Sequence, residues 1–471
     1  MKTAGYLAND TAAAYVRKEI NLVRVKKNAR CTAALVFPNR YCVGMSNLGM
    51  HTLYELLNRR PEIRCERFFF EPRKKELLGL ESGRPLAAFD IVAFSVAYEP
   101  DYLNVAAILA HAGLRAAWRR RTTMPLILSG GAVTYSNVRP LAGISDIVVC
   151  GEGEPVLPQC LDLILEAAPL TSLRKKEALL DAVAAIPGIV VPGVTRADPQ
   201  PLPAADIHAF NTVSRLITPL AEFRSTYLVE LSRGCPRGCA FCVAGAAFGA
   251  YRPRRWENLI PALIEGLAYT RNIGLVAAAV SDYPQLPELC DWLRARQAAV
   301  SVSSLRVETV TRHLLEALVA GGQQTVTFAP EAGSESLRRR LRKDISDAAI
   351  LEKIELARQC GIRRVKLYFM LGLPEETDAD ARAIAGFLRR AAAILPVRAA
   401  VGIFVPKPRT PFAAVPLASF KTVRVRTRAL LHAVRAEPEI TLTFARYPEA
   451  KLDWEFSQGG EGVILEGRCA G

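Results

Sequence analysis

The chain has 471 residues, half of them hydrophobic, and carries a formal net charge of +15. That length exceeds one ordinary domain, so two or three are expected, each with a core large enough to need no staples. A small disulfide scaffold is excluded, and no apolar run reaches the roughly 18 residues of a membrane span.

The N-terminal stretch MKTAGYLANDTAAAYVRKEI has no continuous apolar segment, so no signal peptide is expected and the expected compartment is the cytoplasm. The first sixty residues carry ten Lys/Arg against three Asp/Glu, nearly half of the total surplus. Such a face suits an anionic substrate or partner. The plainer reading is an Arg-rich solvated surface. Nucleic acid is not favoured, because no aromatic interleaving or RNA-binding motif accompanies the charge.

In chain order, a basic leader (1–30) precedes an apolar strand at Thr32–Phe37, a helix from about Asn47 to Arg60, and a strand at Asp90–Ser95. A helix at Asp101–Ala112 follows, then strands at Met124–Ser129 and Asp146–Cys150 and a helix from Glu154 to Ala167. Near-continuous apolar strands alternating with helices predict a parallel α/β sheet covered on both faces, over 31–170. Leu173–Ala185 has helical character, whereas Pro187–Pro203 is Pro-rich without periodicity; 171–222 therefore reads as a linker. A second alternation begins at Thr226. Its strands are expected at 226–232, 273–281, 299–304, 324–328, 363–370 and 398–405, with helices notably at 307–319 and 346–360. Six β/α units over 223–445 suit an incomplete parallel barrel, whose chemistry collects at the strands' C-terminal ends. Residues 446–471 form a tail.

Eleven cysteines are present; eight are scattered and three fall in LSRGCPRGCAFC, residues 231–242. Scattered thiols plus one tight triplet suggest a reducing compartment and one metal site. Cys235, Cys239 and Cys242 have the spacing Cys-x3-Cys-x2-Cys directly after a strand, and thiolates select iron–sulfur clusters or zinc. Three ligands leave one iron open to a substrate. A zinc knuckle with a distant fourth ligand is the competing reading.

This spacing, with the aromatic Phe241 just before the last cysteine, resembles the radical S-adenosylmethionine (SAM) superfamily. The resemblance implies that SAM chelates the open iron of a [4Fe–4S] cluster and is reductively cleaved to a 5′-deoxyadenosyl radical. Further segments match at the strand ends: Ser303 to Val307, Thr327 to Gly333, Lys366 to Glu375, and Phe404 to Phe412. The SAM site it implies uses Arg306 and Ser304 for the carboxylate, Glu331 for the ribose hydroxyls and the backbone near Phe241 for adenine. Lys366 is left without a role. Tyr251-Arg252-Pro253-Arg254-Arg255 reads either as a cap beside the cluster or as a solvated helix entry.

The 32–167 region resembles a cobalamin-binding domain, and SQGGEGVILEG near the C-terminus also matches radical SAM proteins that carry one. The fold implied is a flavodoxin-like or Rossmann-like parallel sheet domain followed by a partial (β/α)6 barrel. The matching cofactor positions are Gly49, Ser95, Gly130, Gly131, Gly151, Glu152 and Gly153. The pattern departs at the lower ligand: Asp206-Ile207-His208 is the nearest match to Asp-x-His-x-x-Gly, but Asn211 stands in the glycine place, and His51 reads as a surface or packing residue. No histidine is therefore expected on a lower face. The leading implication is a cobalamin-dependent C-methyltransferase served by an electron donor such as flavodoxin or ferredoxin. The alternatives are a cobalamin-free catalyst of rearrangement, cyclisation or sulfur insertion, and a redox- or cobalamin-responsive nucleic-acid-binding sensor. Sulfur insertion usually needs further cluster ligands; Cys31, Cys42 and Cys65 are too widely spaced, and Cys469 reads as a free tail thiol.

Overall fold

A computed structural model describes residues 12–72, 77–195, 199–302 and 304–466. Ser303, Cys469 and the first part of the basic leader lie outside the described residues. The chain divides into two compact units, Met1–Thr226 with Gly459–Gly471, and Tyr227–Gln458.

In the first unit, strands β1 (Cys31–Phe37), β2 (Ile63–Phe69), β3 (Ile91–Ser95), β4 (Leu126–Gly130) and β5 (Ile147–Val149) form a parallel sheet in the order 2-1-3-4-5. That is the flavodoxin-like order, with its reversal between β1 and β3. Residues on both faces of β1, β3 and β4 are buried, as the apolar runs require. The covering helices include α1 (Leu48–Arg59), whose cap Asn47 accepts from the Met50 amide at 3.0 Å, together with α2 (Tyr102–His111) and α3 (Leu157–Ala167).

The stretch read as a linker is folded into this unit. Helix α4 (Leu173–Ala184) is capped by Ser172, and β6 (Ile189–Val190) joins β5 antiparallel. Lys176 of α4 is buried, with Nζ 2.8 Å from Asp146 Oδ1 and 2.9 Å from the Arg121 carbonyl. The tail also returns: the Gly459 carbonyl accepts from Asn137 Nδ2 at 2.8 Å, and a Cβ on Gly143 would lie 1.7 Å from the Glu461 carbonyl.

His51 is a packing residue. It is fully buried, its Nδ1 accepts from the Arg215 and Leu216 amides (2.9 and 3.3 Å), and its Nε2 lies 3.2 Å from the Met45 carbonyl. Burial pushes its pKa down to about 4 from 6.5. Below pH 6.5 the unfolded chain takes up a proton that the folded one refuses, so stability is complete above 6.5 and is lost as pH falls toward 4. The first unit should be about 2 kcal/mol less stable at pH 5 than at pH 7.5. Urea unfolding at the two pH values checks this; the difference should disappear in His51→Gln, and a flat wild-type profile would contradict it.

The second unit has strands β7 (Tyr227–Glu230), β8 (Asn272–Val276), β9 (Ala299–Val302), β10 (Thr325–Glu331), β11 (Arg364–Leu371), β12 (Val397–Ile403) and β13 (Ile440–Phe444). They pair in parallel as β9-β8-β7 and β10-β11-β12-β13, and a parallel bridge between Leu305 and Phe328 joins the two runs. The six expected β/α units are present. β13 is an addition whose alternating half-exposed and exposed residues give no apolar run to read. Along β11, Val365, Leu367, Phe369 and Leu371 are buried, and Phe369 meets Phe387 of the helix Asp378–Ala392 edge-on at 6.1 Å. Lys366, Tyr368 and Met370 alternate onto the opposite, inner face and stay half-buried. Among the described residues no helix is long and apolar enough to cross a membrane.

Candidate active site

The cysteine loop leaves the C-terminal end of β7. Ser232–Arg233 pairs antiparallel with Arg252–Pro253, which closes the loop at its base. Gly234 makes the turn at φ +71°; a Cβ there would stand 2.5 Å from the Ala250 carbonyl oxygen, so only glycine fits. Arg252–Pro253 thus closes the loop, while Arg255, exposed, is the N-cap of the helix Trp256–Leu267. Arg254 is buried with Nη2 2.6 Å from Glu230 Oε2, and the Tyr251 hydroxyl donates to the Asp282 carbonyl at 3.1 Å.

Cys239 is buried; Cys235 and Cys242 are half-buried. Burial pushes the Cys235 thiol up, the Arg237 amide bond works against that, and Cys242 and Cys239 reinforce it, so the three sulfurs share one electrostatic neighbourhood. Among the described residues no three His, Cys, Asp or Glu side chains are drawn together at metal-ligand geometry, these thiols included. What the loop offers is the donor chemistry: three soft thiols and a cation. Arg306 places Nη1 3.9 Å from Cys239 Sγ, and its own amide donates to Ser281 Oγ at 3.2 Å. Burial opposes the Arg306 charge, and Glu308 and Cys239 more than restore it. Asp282 holds Arg237 at 2.5 Å and lies 3.8 Å from Arg306 Nε, so the loops after β7, β8 and β9 are tied by one carboxylate.

Phe241 packs against a buried cluster of Ala332, Leu337, Leu341, Leu373 and Phe404, and the Ala240 amide donates to the Leu341 carbonyl at 3.0 Å. Glu331 ends β10 with φ +70° and accepts from Lys343 Nζ at 2.8 Å. Cys239, Arg306, Phe241 and Glu331 are thus gathered at strand C-terminal ends. Ser304 is exposed and joins none of these contacts. Sequence reasoning missed Asp282 and Lys343, which hold these groups in place.

At two of the cobalamin positions the chain's own backbone makes the close approach that a glycine allows. A Cβ on Gly131 would meet the Val96 carbonyl oxygen at 2.4 Å, and the Val96 amide itself donates to the Gly130 carbonyl at 2.9 Å. A Cβ on Gly151 would meet the Leu202 amide nitrogen at 2.4 Å; Leu202 bridges to Gly151 as a strand neighbour. Glu152 is buried and its carboxylate accepts from the Ala204 amide at 2.8 Å. Gly153 sits against Leu157, Gly49 opens α1 beside Asn47, and Ser95 is buried. Asp206 accepts from the His208 amide at 2.8 Å, a local turn cap.

A family model described as the radical SAM superfamily matches residues 229–388, and one described as radical SAM proteins, N-terminal, matches residues 49–192. The chain belongs to the radical SAM superfamily. This radical SAM enzyme is 29% identical over 416 residues to an uncharacterised protein of Methanocaldococcus jannaschii, an alignment covering 87% of this chain and 84% of that one. Its fold is similar to that of TsrM of Kitasatospora setae, a radical SAM methyltransferase, with a TM-score of 0.57 at 14% identity over 82% of this chain and 75% of that one. It is also similar to OxsB, a cobalamin-dependent SAM radical enzyme, with a TM-score of 0.52 at 15% identity, covering 85% of this chain and 55% of that one.

Proposed function

We propose that this radical SAM enzyme holds a [4Fe–4S] cluster on Cys235, Cys239 and Cys242 and functionalises an unactivated carbon without a cobalamin seated on its N-terminal sheet. A cluster held there would, with SAM bound, supply the electron for reductive cleavage of SAM to methionine and a 5′-deoxyadenosyl radical. The observation that carries the reading is the loop itself: three thiols on a glycine-turned loop at a barrel strand's C-terminal end, with Arg306 against Cys239. Arg306 and Ser304 are assigned to the SAM carboxylate, Glu331 to the ribose hydroxyls, and the backbone at Phe241 to adenine. Lys343 holds Glu331 in place as an acceptor, with Nζ 2.8 Å from Oε1. The electron comes from a donor such as flavodoxin or ferredoxin.

The fold likeness to OxsB favours a second reading, cobalamin-dependent methyl transfer. The first reading rests on the close contacts at Gly131 and Gly151 being made by the chain itself. Anaerobic expression with hydroxocobalamin, followed by quantification of cobalamin against iron and assay of 5′-deoxyadenosine, separates the two. Iron with deoxyadenosine release and no retained cobalamin is expected. Cobalamin retained in proportion to cluster, with labelled methyl transferred from SAM, restores the methyltransferase reading.

A further inference from the structure

We propose that the inner face of β10–β13 binds a phosphate group of the substrate, with Lys366 and Arg398 as its anion-binding residues. This rests on the radical SAM reading of the same barrel and adds the substrate class to it. The register places Thr327, Lys366, Arg398 and Thr441 opposite one another on four successive parallel strands. Their neighbours Val326, Val365 and Val397 are buried on the helix-covered face, so this row stands on the inner one. Two residues further on, Tyr368 and Thr443 follow on the same face.

Adjacent strands lie about 4.8 Å apart, so the row sets two cations side by side. Like charges in such positions repel. Neither has a carboxylate partner among the described residues. Lys366 Nζ donates to the Tyr368 hydroxyl at 2.8 Å and lies 4.7 Å from that ring's centre, and Arg398 is exposed without an ion pair. Glu230 and Glu331, at the strands' far ends, are engaged by Arg254 and Lys343. Two uncompensated cations ringed by tyrosine and threonine hydroxyls match a dianion with three acceptor oxygens, which a phosphate monoester supplies and a single carboxylate does not. Lys366 lies four residues below Met370 on β11, about 13 Å along the strand. A phosphate anchored there leaves the rest of the substrate reaching up to the cysteine loop, and such remote binding energy is what positions a reacting carbon.

Equilibrium dialysis of the full chain with 32P-labelled inorganic phosphate tests the proposal, run before and after cluster reconstitution. Saturable binding is expected, weakened about tenfold by Lys366→Met and by Arg398→Gln, retained in Lys366→Arg, and unchanged in the surface variant Arg358→Gln. Circular dichroism confirms that each variant is folded. No saturable binding by the wild type, equal binding by Lys366→Met and Arg398→Gln, or acetate competing as well as phosphate overturns it. Because the dialysis does not depend on the cluster, failure to cleave SAM would sink the radical SAM reading of the site while leaving this measurement interpretable.

Discussion

Replacing Cys239 by serine should abolish 5′-deoxyadenosine release, a loss on the order of a thousandfold or more, equivalent to about 4 kcal/mol in barrier. Cys239 is the buried member of the triplet and the one that Arg306 touches. A hydroxyl is a hard, poorly ionised donor where the cluster needs a soft thiolate, so iron retention should fall with activity. The same loss is expected for Cys235→Ser and Cys242→Ser. Cys360→Ser is the control: Cys360 is a half-buried thiol at the end of the helix Asp347–Gln359, remote in sequence from the loop. Iron and sulfide analysis, with chromatography of deoxyadenosine from dithionite-reduced protein, gives the readout. Near-wild-type cleavage by Cys239→Ser would remove Cys239 from the ligand set. Stoichiometric zinc in the wild type, with no SAM cleavage, would return the loop to the zinc reading.

The parts of this molecule legible in its sequence are those whose signal is local. Apolar runs such as Cys31–Phe37 and Ile91–Ser95 marked strands of the first sheet, although the charge-bearing strand Ile63–Phe69 went unread, and the Cys-x3-Cys-x2-Cys spacing narrowed the chemistry to an iron–sulfur cluster or zinc. What was not legible depends on distant partners. Arg237 and Asp282 are 45 residues apart, Asp282 carries no motif, and its role in tying three loops exists only in the fold. The Pro-rich run at 187–203 reads as a linker because its strand is two residues long, yet Leu202 owes its place to Gly151. The glycines at 131 and 151 show a third kind of difficulty. The sequence correctly reads them as sites of close backbone approach, but a glycine cannot say what approaches. Here Val96 and Leu202 of the chain itself come that close.

Lys176 provides the sharpest test of where the first unit ends. Lys176 is 2% exposed and its ammonium is bonded to Asp146, which is itself 0% exposed and also accepts from the Ile127 amide at 2.8 Å and from Arg121 Nε at 3.3 Å. Asp146 leads into β5 of the parallel sheet, whereas Lys176 lies within the stretch that sequence alone assigns to a linker. If α4 were a tether, Lys176→Met would cost no more than an exposed ion pair, about 1 kcal/mol or less. In the folded arrangement it removes one of the two cations around a buried carboxylate, and a loss of about 1–3 kcal/mol is expected. Asp146→Asn in the same chain should recover little of this, because it takes from the buried Arg121 its own carboxylate partner. Urea unfolding followed by far-ultraviolet circular dichroism measures both. A cost below about 1 kcal/mol would return residues 171–222 to the status of a linker. The larger cost would mean that α4 belongs to the core of the first unit, held by the same carboxylate that accepts from the Ile127 amide and from Arg121.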